Sequence, residues 1–209
     1  MSKNSVVITS AIRTAVGSLN KSLKNVPSHL LGSAVISGSI NKSKLNNNEI
    51  DEVIIGQVLT GGAGQNPARQ ASIHSGIPKE KPAYIVNQVC GSGIRSVVSG
   101  FQSIRTGDSK IIIAGGQENM SLAPHAIHLR EGKKLGDAEI VDTMIKDGLW
   151  DAFNGYHMGV TAENVAEKFQ ITRDQQDKFA LRSQQKALDA QKQNKLSNEI
   201  INYKIKSKK

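Results

Sequence analysis

The chain has one cysteine, Cys90, in 209 residues, which excludes an internal disulfide and any site built from several thiolates. Its five histidines are scattered without metal-ligand spacing, so no resident metal is expected. No apolar run is long enough to cross a bilayer. The opening run "SVVITSAIR" is broken by Thr9, Ser10 and Arg13, which argues against a secretory signal. Aromatic residues are only 4% of the chain, and none interleave with a basic patch, so the net charge of +9 does not read as a nucleic-acid surface. Lysine outnumbers arginine twenty to seven, and the stretch from Lys192 to Lys209 alone contributes +5. Scattered solvated lysine accounts for this. The expectation is a cytoplasmic protein with neither a membrane nor a nucleic-acid partner, whose basic surface would also suit a phosphate-bearing ligand.

What is present is an alternation of apolar runs and helical patterns. Strands are predicted in "SVVITSAIR", "DEVIIGQVLT", "AYIVNQV" and "KIIIAGG", and helices in "PSHLLGSAVISGSI", from Pro67 to His74, and directly after Cys90. The continuous Val-Ile-Ile of the second strand calls for burial on both faces, as in a parallel sheet. The fold class is therefore α/β, a mainly parallel sheet covered by helices, with ligands expected at the C-terminal ends of its strands. From Gln117 to about Gly155 the pattern loses its period and reads as an extended excursion. Two further helices are predicted, one from about Ala162 to Phe169 led by Thr161, the other opening at Thr172, where "TRDQ" is a capping box. Phe179, Ser183, Ala187 and Ala190 share one face of the second, and "EIINYKIK" suggests a closing strand.

Cys90 stands between an apolar strand and "GSG", immediately before a helix. An isolated cysteine is commonly a small buried apolar residue. The reactive form is the thiolate, however, and helix N-termini favour it because their unpaired N–H groups carry partial positive charge. Gly91 and Gly93 leave room for a substrate, and the Cys90 N–H is placed to donate to a developing oxyanion. The glycine-rich "GGAGQNP" is not a dinucleotide fingerprint, since Pro67 replaces its last glycine.

"NQVCGSGIRSV" closely resembles the acyl-accepting segment of thiolases, specifically the short-chain, biosynthetic acetyl-CoA acetyltransferases. "AIRTAVGS", "GQVLTGGAGQNPARQA", "IIIAGGQENMSLAPH", "DTMIKDGLWDAF", "GYHMGVTAENVAEKF" and "TRDQQDKFA" follow in the family's order. The resemblance implies a thiolase-like N-terminal domain over residues 1–117 and part of a loop domain over residues 118–209. It implies that Cys90 takes the acetyl group from acetyl-CoA as a thioester. Leu149, His157 and Met158 would then contact the pantetheine arm or the acyl end. The activity implied is the condensation of two acetyl-CoA to acetoacetyl-CoA and CoA, or its reverse, with no cofactor beyond the thioester substrates. The partners implied are acetyl-CoA and acetoacetyl-CoA, with a homo-oligomer or a complementary C-terminal half. A non-catalytic binding or assembly subunit derived from a thiolase is the alternative, as is a ketoacyl-synthase-like enzyme, which "GYHMGVTAEN" disfavours. Without the resemblance His157 reads as a core histidine and Met158 as packing. His125 and His128 read as loop residues. Gln117 and Asn119 depart from the Met and Ser common in the family, which touches strand-end packing more than chemistry.

The family's Gly-His-Pro, Cys-x-Gly and Asn-Glu-Ala-Phe segments do not occur in these 209 residues. A chain truncated after its first α/β layer, and inactive alone, is expected. The helix after Cys90 supplies a second argument. Ile94, Val97, Val98, Phe101 and Ile104 form an apolar stripe, while Ser92, Ser96, Ser99, Gly100 and Ser103 make another side small and uncharged, where a solvated helix would carry Lys and Glu. That small side is expected to be bare or covered by another chain.

Overall fold

The computed structural model describes residues 5–205. Its centre is a three-stranded parallel sheet in the order β2, β1, β3, where β1 is Glu52–Gly56, β2 Ala83–Val86 and β3 Ile112–Gly116. Val53 lies opposite both Ala83 and Ile113. Val53, Ile54, Ile55 and Gly56 are all buried, as the unbroken apolar run requires of a strand covered on both faces.

Helices α1 (Ser28–Ser43) and α2 (Pro67–His74) pack against one another on one side. Ile36, Ile40, Ala68 and Ala71 join Ile50, Val53, Ile55 and Ile77 in a single hydrophobic core. Proline at the first turn costs helix α2 no hydrogen bond. The Asn66 side chain caps the same end by accepting the Arg69 N–H at 3.0 Å.

Helix α3 (Ser92–Thr106) covers the opposite face of the sheet with its small side, reversing the expectation from its sequence. Ser92, Ser96 and Gly100 are its buried residues. A Cβ on Gly100 would already stand 3.3 Å from Ile112. The apolar stripe faces outward instead, with Ile94 77% and Phe101 50% exposed. The sheet beneath explains the choice: β3 ends in Ala-Gly-Gly, and small residues on both elements bring the helix close enough for Ser96 Oγ to donate to the Gly115 carbonyl at 2.7 Å. The small side is thus covered by this chain's own strands. The argument for a missing partner on that side fails.

Among the described residues, two expected strands do not form. From Ser5 to Ile12 the chain forms no sheet pairing, and Arg13 makes only an isolated parallel bridge with Ile200. Val6–Ser10 run beside the outer edge of β3 and with it line a cleft of about 290 Å³, yet Val7 and Ile8 stay exposed. A β-branched run becomes a strand only when a partner strand takes its backbone groups. The closing run behaves likewise: its residues up to Ile205 contribute the Ile200 bridge alone, and Lys206 lies outside the described residues. Arg13 also pairs with Glu199, Nε to Oε1, at 2.9 Å.

The excursion after β3 holds a 3₁₀ turn at Met120–Leu122, a two-stranded antiparallel ribbon of β4 (His125–Ala126) and β5 (Val141–Asp142), and a π-helical turn at Met144–Leu149. Helix α4 is Met158–Lys168, opening four residues before the expected start because His157, not Thr161, caps it. Helix α5 is Arg173–Lys192, with the Thr172 and Gln175 capping box formed. Its apolar face is largely unpartnered, Phe179 being 66% exposed. Among the described residues, no helix is long and apolar enough to cross a membrane.

Candidate functional site

The strand β2 stops at Val86, three residues short of the apolar run, because Asn87 to Val89 are used to turn the chain. Val89 takes a left-handed conformation, φ +48°, which costs a β-branched side chain about 1–2 kcal/mol. Local hydrogen bonds hold it there. The Asn87 Oδ1 accepts the Val89 N–H at 2.9 Å, and the buried Ser92 hydroxyl accepts the Gln88 N–H at 2.9 Å. Gly91 N–H and Ser92 N–H donate back to the Gln88 and Val89 carbonyls. Cys90 sits at the crest of this turn, exposed, two residues before α3 begins. Among the described residues, the loop and cap hydrogen bonds engage the N–H groups on either side of Cys90 and leave its own out.

Gly56 allows α3 to start so close to the strand ends. A Cβ on Gly56 would lie 2.3 Å from the Ser92 carbonyl carbon, and one on Gly116 would lie 3.4 Å from the Cα of Gly93. Gly93, expected to leave room for a substrate, is not demanded by the sheet, since a Cβ there would stand 3.9 Å from Gly116, an ordinary contact.

Cys90 opens onto a cleft of about 430 Å³ at the C-terminal ends of β1 and β3. Its wall is the chain that follows those strands, Gln57 to Leu59 and Gln117 to Glu118. Gly148 and Leu149, at the end of the π-helical turn, close another side. Of the four residues expected at the site, the structure thus brings Cys90 and Leu149 together. His157 and Met158 are not among the lining residues. They are tied to the same loop through an antiparallel bridge between Trp150 and His157, and a turn between them is braced by Asp151, whose Oδ1 accepts the Phe153 and Asn154 N–H groups. His157 Nδ1 accepts the Gly159 N–H at 3.0 Å, which puts the ring proton on Nε2. His125 and His128 lie on the ribbon and the loop after it, both exposed.

Sequence reasoning missed Gln57 and Glu118. Both follow strand ends, where an α/β fold places its ligands, and that rule would have marked them. Gln117 Nε2 donates to Gln57 Oε1 at 2.8 Å, and Gln57 Nε2 to Ser28 Oγ and to the Leu59 carbonyl. Glu118 Oε2 accepts the Val58 N–H at 2.8 Å. Burial raises the Glu118 carboxyl above its ordinary value, against the opposite pull of the Val58 and Leu59 N–H groups. Asn119, the other departure from the family pattern, donates from Nδ2 to the carbonyls of Leu23 and Val26 at 2.9 and 2.7 Å. It thereby ties the segment before α1 to the end of β3. Among the described residues no cluster of three or more His, Cys, Asp or Glu could hold a metal.

A parallel sheet with a cysteine raised on a strained turn at its strand ends defines the class. The family model described as the thiolase N-terminal domain matches residues 6–209, and the chain belongs to that family. It is 56% identical over 209 residues to the acetyl-CoA acetyltransferase of Rhizobium meliloti, covering 100% of this chain and 53% of that protein. With that of Paracoccus denitrificans it shares 54% over 203 residues, 97% of this chain and 52% of the relative. With the cytosolic acetyl-CoA acetyltransferase of Rattus norvegicus it shares 51% over 204 residues, 98% and 51% respectively. The chain spans about half the length of the curated relatives it matches.

Proposed function

We propose that this chain is the acyl-accepting half of an acetyl-CoA acetyltransferase. The exposed sulfur of Cys90 at the start of α3, facing a cleft, carries the reading. A thiolate there attacks the thioester carbonyl of acetyl-CoA. A new C–S bond to Cys90 forms, and the bond to the CoA sulfur breaks as CoA leaves. The Cys90 N–H donates to the oxyanion formed on the way. Leu149 lines the path of the pantetheine arm, and His157 and Met158 lie farther along the same loop, where they meet the arm beyond the cleft. The partners are acetyl-CoA and acetoacetyl-CoA, and either a second copy of the chain or a complementary C-terminal half, with residues 118–209 acting as part of the CoA-binding loop domain.

The condensation step needs a base that activates Cys90 and another that removes a proton from the second acetyl-CoA. The strings that supply them in the family do not occur in this sequence. Incubation with isotopically labelled acetyl-CoA followed by peptide mass spectrometry tests the proposal. Label on Cys90, formed when a C-terminal half is added and lost in Cys90→Ser, is the expected result. Coenzyme A binding and assembly indifferent to Cys90→Ser would show a non-catalytic subunit instead.

A further inference from the structure

Two of the cleft's lining residues have ionisable side chains, Cys90 and Glu118, and the chemistry above uses only the first. Glu118 lies two residues past the end of β3 and reaches across to the chain leaving β1. Its Oε2 accepts the Val58 N–H at 2.8 Å, and the Leu59 N–H lies 3.3 and 3.4 Å from its two oxygens. Among the described residues no other acceptor serves either N–H group. One residue earlier, the Gln117 N–H donates to the Gly56 carbonyl at 3.0 Å. The tails of β1 and β3 are therefore stitched into one wall.

That wall touches the reacting end on two sides. Gly56, where the β1 tail begins, lies directly against the first turn of α3, and a Cβ on Gly148 would stand 3.6 Å from Leu59 Cδ2. A shift of Val58 and Leu59 is thus felt both beneath Cys90 and at the Leu149 turn. Burial opposes the charge on Glu118.

We propose that Glu118 is a positioning residue for the Cys90 cleft, its carboxylate fixing the Val58 and Leu59 backbone as the wall along which an acyl thioester lies when it meets the sulfur. The inference rests on the thioester reading above. The whole chain is tested as wild type, Glu118→Ala and Glu118→Gln. Cys90 alkylation is followed with iodoacetamide and with a bromoacetyl thioester of pantetheine, each rate normalised to free cysteine, and amide exchange is followed at Val58 and Leu59. Wild type is expected to prefer the pantetheine probe. Glu118→Ala should lose about tenfold of that preference, as a displaced binding wall does, with the iodoacetamide rate held within about twofold. Glu118→Gln, which keeps an acceptor for Val58, should recover it to within about threefold. Exchange at Val58 and Leu59 should rise about tenfold or more in the alanine variant. If that variant does not fold, Glu118→Met fills the space without an acceptor and takes its place. Preference and exchange both unchanged in the alanine variant overturn the proposal, as does a joint fall of both alkylation rates and the melting temperature that glutamine fails to rescue. If wild type itself shows no preference, the thioester reading fails, and the wall is judged by the exchange rates alone.

Discussion

The Ser92 hydroxyl donates to the Val89 carbonyl at 2.6 Å while accepting the Gln88 N–H at 2.9 Å. One small side chain thus holds both ends of the strained turn that raises Cys90. Ser92→Ala removes the acceptor of a partly buried N–H, and should lower stability by about 1–3 kcal/mol in urea unfolding. It should also slow Cys90 alkylation, because the turn is no longer pinned.

The strain itself is open to test. Val89 is half exposed at φ +48°, so its side chain gives up little burial on replacement. Asparagine tolerates this conformation, and Val89→Asn should raise stability by about 1 kcal/mol. Thermal melting of the two variants decides it.

Gly56→Ala would set a Cβ 2.3 Å from the Ser92 carbonyl carbon and 2.5 Å from the Gly93 nitrogen. Both are backbone atoms and cannot rotate aside. The loss should reach about 3 kcal/mol. Gly115→Ala, whose Cβ would meet nothing within 4 Å, serves as the control and should stay within about 0.5 kcal/mol.

His29 on α1 and His74 on α2 hold their rings 5.3 Å apart. Burial, and then the neighbouring His74, lower the His29 pKa below its ordinary 6.5. The unfolded chain therefore binds a proton that the folded chain resists. Stability from His29 is present above pH 6.5 and is lost as the pH falls through the lowered value. His29→Gln should flatten the decline of the melting temperature between pH 7.5 and pH 5.5, and an unchanged slope would refute the assignment.

The outward stripe of α3 supplies a further test. Ile94 is 77% exposed, so Ile94→Lys should change stability by less than about 0.5 kcal/mol. It should also reduce binding of a hydrophobic dye, as removal of exposed apolar surface demands.

These residues show what a sequence can and cannot convey. Pro67 and the Thr172 capping box place helix starts because capping is local chemistry, and both helices begin where those residues put them. The Ser5–Arg13 run has a strand's composition but no strand, because pairing depends on a neighbour that composition does not identify. Periodicity correctly grouped Ser92, Ser96 and Gly100 on one side of α3. It could not tell which side the sheet would choose, since that was decided by Ala114 and Gly115 some twenty residues away. The place of Cys90, on the turn between β2 and α3, was legible through its neighbours. The position of Glu118 was legible from the strand end before it, but its role was not, because that comes from two N–H groups sixty residues earlier.

At Gly56, where a Cβ would fall on the backbone of Ser92 and Gly93, the molecule tolerates nothing larger than hydrogen on the sheet side of the turn that carries Cys90. Variation in what the cleft accepts must therefore come from its flanks, at Val58, Leu59, Met120 and Leu149, while the floor stays fixed. On the proposed function, an engineer seeking to admit a bulkier acyl group would gain nothing by carving beneath the sulfur and should widen the cleft at Leu149.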